Sequence, residues 1–126
     1  MKTLRKTYAI NASAHIVRQM LLNKEQIENW SGASAEMNLQ ENASFSLWDG
    51  DIHGINLFIG ENELVQHWKE AKWEHFSTVV FYWIESDGIT ELTLIHTEIP
   101  NKAFDGINQG WDQFYCMPLK ELAENY

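Results

Sequence analysis

The stretch FSTVVFYWIESDGITELTLIHTE, residues 76–98, reads as two β-strands joined by a tight turn. Phe76 to Ile84 is a run of β-branched and aromatic residues, the types that suit a pleated, half-buried surface. Asp87-Gly88 follows. A two-residue type I′ turn needs φ > 0 at both positions, which this pair tolerates at low cost. Thr90 to Glu98 is the returning strand, and Pro100, which has no N–H for a ladder, stops it. Side chains alternate along a strand, so Val79, Phe81 and Trp83 share an inner face with Leu92, Leu94 and His96.

Upstream the period of two persists. Met37 and Leu39, then Phe45 and Leu47, fit strands, and Asp49-Gly50 between Leu47-Trp48 and Asp51–Ile59 is a second hairpin signal. Leu64 to Trp68 is a further strand, with Trp73 beyond Lys69–Lys72. Residues 37–98 are therefore expected to form one antiparallel sheet. Residues 2–10 read as a strand with Leu4, Lys6, Tyr8 and Ile10 on one face. Ser13 caps a helix carrying Ile16, Val17, Met20 and Leu21, and Asn23 with Gln26 opens a second short helix through Ile27 and Trp30, ended by Ser31-Gly32. From Asp105 the pattern turns helical, with Ile107, Trp111, Phe114, Tyr115, Leu119 and Leu122 on one stripe. The class is α+β, one antiparallel sheet with a long C-terminal helix over one face.

The chain has 126 residues, enough for one domain, 1–126, with a sizeable core. With a single cysteine no internal disulfide is possible, no apolar run approaches the roughly 18 residues of a membrane helix, and no apolar segment follows the basic start as in a signal peptide. A cytoplasmic protein is the expectation. The net charge of −9 argues against nucleic acid or an anionic membrane as partner. Charge is uneven: Lys2, Arg5, Lys6, Arg18 and Lys24 precede the first acid, Glu25. Such an acid-poor start is shared with transit peptides, but here it carries a core-facing pattern and reads as a basic edge strand and helix lying on an acidic body. It could also drive self-association into a homodimer through an acidic patch, which salt would weaken.

The order of elements resembles the helix-grip fold of the START-like (SRPBCC) superfamily, and within it the family of the activator of the 90-kDa heat-shock-protein ATPase. The residues that carry the resemblance are Trp30, Phe45–Gly50 with Gly54, Leu64-Val65 with Trp68 and Trp73, Thr90–Leu94, Pro100, Gly110-Trp111 and Leu119-Lys120. It spans nearly the whole chain and rests on the series in order and spacing. The resemblance implies a curved antiparallel sheet wrapped around the long C-terminal helix, with two short helices after the first strand. It also implies a cavity between sheet and helix for a small hydrophobic or amphipathic ligand, and raises an Hsp90-type chaperone as a partner. Chaperone-binding members carry an additional N-terminal domain, whereas here a strand is expected within a few residues of Met1.

The expected ligand-facing set is Trp30, Phe45, Leu47, Trp68, Trp73, Val79, Phe81, Trp83, Leu92, Leu94, His96, Trp111, Phe114 and Tyr115. A ring-lined cavity and a packed core are both compatible with it, and the resemblance favours the cavity. His96 and Glu98 alternate on one face near the strand end, where a histidine is able to act as acid or base. No nucleophile or second fixed partner lies nearby in sequence, so ligand binding is expected over cyclase-like or hydrolase-like chemistry. Asp49, Asp51 and His53 match no calcium loop, and His67 with His75 match no zinc spacing, so no metal or cofactor is expected. Pro118 falls inside the helical stripe and is expected to kink or break the helix.

Overall fold

The computed structural model describes residues 1–126. Its seven strands are β1 (Lys2–Ile10), β2 (Glu36–Met37), β3 (Ala43–Leu47), β4 (Ile52–Ile59), β5 (Glu63–Glu70), β6 (Ser77–Ser86) and β7 (Ile89–Ile99). They form one sheet in the order β1-β7-β6-β5-β4-β3-β2, and every pairing is antiparallel. The hairpin at Asp87-Gly88 has the two-residue connection expected of it: Ser86 pairs with Ile89, and the turn residues have φ of 53° and 79°.

The helices α1 (Ala14–Leu22) and α2 (Lys24–Ser31) follow β1. Ser13 Oγ accepts from the Ile16 N–H and Asn23 Oδ1 from the Gln26 N–H, so one orphan donor is satisfied at each start. The reciprocal half of the capping box is absent, because the Asn23 N–H donates to the Gln19 carbonyl and Gln26 Oε1 accepts from the Asn29 amide instead. Gly32 ends α2 in the left-handed region.

The C-terminal helix runs through α3 (Phe104–Gly110), a widened turn over Trp111–Cys116, and α4 (Met117–Glu124). In the widened turn the Met117 N–H reaches back five residues to the Asp112 carbonyl. Pro118 follows at once. The expected break does not occur: the backbone stays right-handed helical through Cys116 and Met117, and the widened turn lies where the proline ring would crowd the preceding turn. Together with α1 and α2, which pack against α4, this helix covers the inner face of the curved sheet, giving the helix-grip α+β fold.

The core lies between these layers. Val79, Phe81, Trp83, Leu92 and Leu94 are fully buried from the sheet, and Trp111, Tyr115 and Leu119 meet them from the helix. Gly54 has a particular place: a Cβ there would lie 1.8 Å from the His67 carbonyl oxygen and 2.9 Å from the Phe45 ring, so the Phe45 ring occupies the space above it.

The basic start lies on the acidic body. Lys6 pairs with Asp112 on the long helix at 3.0 Å, and Lys24 pairs with Glu28 and Glu36. Tyr8 donates to the other Asp112 oxygen. Burial opposes ionisation of Asp112, but the bonds from Tyr8 and Lys6 outweigh it and hold the carboxyl below its ordinary range. The lysine on the inward face of β1 thus has a definite partner.

Candidate functional site

The turn after β3 is built on three successive residues with positive φ: Trp48 at 49°, Asp49 at 55° and Gly50 at 94°. The two-residue turn expected at Asp49-Gly50 is instead a four-residue connection, since Leu47 pairs with Ile52. A left-handed Trp is uncommon and costs of order 1–2 kcal/mol. Packing compensates: the Trp48 ring meets Trp30 and Tyr115, each at 6.1 Å between centroids.

Below this turn lies a cleft of about 320 Å³. One wall is the turn and the adjoining strand ends, with Trp48, Asp51, Ile52, Trp68 and Glu70; the other is the helix, with Gly106, Ile107, Gly110, Trp111, Phe114 and Tyr115. Gly106 and Gly110 stand one turn apart, so they share a helix face. A Cβ on Gly106 would meet nothing within 4 Å, and one on Gly110 only the Phe114 ring at 3.9 Å. The missing side chains thus contribute to the space.

Of the aromatic and apolar set expected to face a ligand, Trp68, Trp111, Phe114 and Tyr115 border this cleft. The others do not. Trp30, Phe45, Leu47, Trp73, Val79, Phe81, Trp83, Leu92, Leu94 and His96 lie buried in the core, where rings fill the space between sheet and helix. Tyr115 lies 4.6 Å from Trp30, 4.7 Å from Trp111 and 5.6 Å from Phe81, and Trp111 stacks on Trp68 at 5.3 Å. The open space is therefore confined to one end of the sheet. Phe114 is 62% exposed, on the rim and not the floor. The widened turn explains this, since it spreads the residues further around the axis and leaves Trp111, Tyr115 and Cys116 inward while Phe114 swings out.

His96 is sealed inside. Its Nδ1 accepts from the Trp111 indole N–H at 3.0 Å. That leaves the proton on Nε2, which donates to Ser77 Oγ at 2.7 Å, and Ser77 donates in turn to the Trp68 carbonyl. Burial lowers the imidazole from 6.5 to about 3, so the ring is neutral at any ordinary pH. Glu98 does not accompany it. It has a φ of 62° in a bulge where the β1–β7 register slips, so it turns outward to accept from the Thr78 hydroxyl while Ile99 turns in. The acid–base pair expected from alternation is not formed.

Trp48, Asp51, Ile52, Glu70, Gly106, Ile107 and Gly110 were not expected at the site. Two glycines four apart inside a helical pattern were the available signal, since glycine is unfavourable there without a packing reason.

Residues 11–124 match the family described as activator of Hsp90 ATPase homolog 1-like protein, from the end of β1 through the last helical turn. The chain belongs to this family, AHSA1. Among curated proteins it is 25% identical over 122 residues to the human activator of 90 kDa heat shock protein ATPase homolog 1, covering 94% of this chain and 36% of that protein. It spans about a third of the length of the curated relatives it matches. Among solved structures, an Hsp90 activator from Plasmodium falciparum superposes with a TM-score of 0.90 at 24% identity, over 97% of this chain and 96% of that one. The Aha1 dimer from Colwellia psychrerythraea gives 0.84 at 14% identity, over 98% and 97% of the two chains. These likenesses agree with the AHSA1 helix-grip fold described above. No helix of the chain is long and apolar enough to cross a membrane.

Proposed function

We propose that the protein is a protein-interaction domain of the Hsp90 co-chaperone kind, binding an Hsp90-type chaperone in the cytoplasm. The observation that carries this reading is the continuity of the family match, which includes every helix and strand from α1 to α4. The curated relatives named for this role are about three times as long as the matched region. The test is calorimetric titration of the purified protein into an Hsp90-type chaperone, beside the chaperone's ATPase rate. Saturable binding with a changed rate supports the reading, and no heat at high micromolar concentration sinks it.

A second reading is favoured by the cleft itself, which is walled by rings and lies at the small end of ligand-site volumes. In it the protein binds a small amphipathic molecule without chemistry. A reaction using His96 finds no support, because both ring nitrogens are committed inside the core. Self-association is a separate matter, raised by the Colwellia relative described as a dimer. Sedimentation at low and high salt tests it, a salt-weakened dimer pointing to the basic start and a salt-indifferent one to an apolar interface.

A further inference from the structure

We infer that the cleft selects a small organic cation, an ammonium group carried on an apolar body; this rests on the reading of the cleft as a ligand site. The charged residues lining it are Asp51 and Glu70, and no lysine or arginine lines it. Both carboxylates belong to one place in the fold. Ile52 pairs with Glu70 across the β4–β5 ladder, and the Ala71 N–H bonds to the Asp51 carbonyl, so the two side chains rise from adjacent backbone at the same mouth.

Neither charge is strongly engaged. Asp51 has no ion pair, and Glu70 has only Lys72 at 3.8 Å, a side chain 83% exposed and free to move aside. Behind the carboxylates stand Trp48, Trp68, Trp111, Phe114 and Tyr115. The faces of such rings attract cations, most of all weakly hydrated ones, and their bulk suits an apolar body. An anion of the same shape would meet two like charges and no basic side chain on the wall, in a protein of net charge −9. The volume of about 320 Å³ suits a single-ring molecule better than a lipid chain.

The test uses three probes of similar size, benzyltrimethylammonium, its neutral isostere neopentylbenzene and benzenesulfonate, followed by tryptophan fluorescence and calorimetry. The ammonium is expected to bind at least about ten-fold more tightly than the neutral probe, with the sulfonate weakest and the preference shrinking as salt rises. The double substitution Asp51→Asn with Glu70→Gln is expected to abolish the preference, bringing the ammonium and neutral probes to similar affinity. Gly110→Leu, filling the cleft from the helix side, is expected to block both. Equal binding of ammonium and neutral probe overturns the inference and leaves the ligand site standing, as does a preference that survives the double substitution. No binding by any probe overturns both.

Discussion

The indole N–H of Trp111 on the long helix donates to Nδ1 of His96 on β7 at 3.0 Å. Through Ser77 on β6 the same chain of bonds reaches the backbone of Trp68 on β5, so one buried polar line joins the long helix to three neighbouring strands. Each of its side-chain groups has a partner, and the line therefore orients the Trp111 ring, one wall of the cleft, and ties it to the backbone of Trp68.

This line makes stability pH-dependent in a definite direction. The folded imidazole titrates near 3 and the unfolded one near 6.5, because burial disfavours the charged ring. Between those values the unfolded chain binds more protons, so stability is fully present above about 6.5 and falls as pH drops towards 3. The expected loss from this residue is of order 1.4 kcal/mol per pH unit inside the window. Urea unfolding from about pH 7.5 to about pH 4.5 measures it. His96→Gln is expected to flatten the slope, and a variant as steep as the wild type would assign the dependence to the carboxylates.

Trp111 is 3% exposed and touches rings on most sides. Trp111→Ala is expected to cost about 3–5 kcal/mol in urea unfolding, as for a large ring removed from a filled core. Trp111→Phe keeps much of the packing but leaves His96 Nδ1 without its donor, and is expected to cost about 1–3 kcal/mol. A cost for the alanine variant well below the phenylalanine figure would mean that the ring borders more open space than it packs against.

Gly54→Ala is expected to prevent folding or cost several kcal/mol, since the new methyl would sit 1.8 Å from a backbone oxygen that the β4–β5 ladder holds in place. Circular dichroism and soluble yield report it. A stable, native-like alanine variant would contradict the close approach of β4 and β5 at this point.

What was legible from the residues was what local chemistry decides. The Asp87-Gly88 turn, the caps at Ser13 and Asn23, the left-handed Gly32 and the alternation of Val79, Phe81 and Trp83 each depend on a few neighbouring residues, and each stands where it was read. The site was harder because non-local events shaped it. Glu98 left the inner face through a bulge set by pairing with β1, Leu39 fell outside any strand, and Phe114 rotated out through the widened turn ahead of Pro118. Trp48 adopts a left-handed backbone that packing against Trp30 and Tyr115 supports, which turn propensity alone does not indicate.

The two helix glycines allow stability and cleft to be separated. Glycine inside a helix costs about 0.5–1 kcal/mol relative to alanine, and at Gly106 and Gly110 an added Cβ meets no atom closer than 3.9 Å. Gly106→Ala and Gly110→Ala are therefore each expected to raise stability by about 0.5–1 kcal/mol in urea unfolding. Both methyl groups would enter the cleft wall, so probe binding is expected to weaken as stability rises. That opposition is what a site held open at the expense of stability produces. If both variants gained stability and bound the probes as the wild type does, the glycines would have no part in the cleft. A loss of stability in either would show that the helix backbone there needs glycine for a reason other than the space beside it.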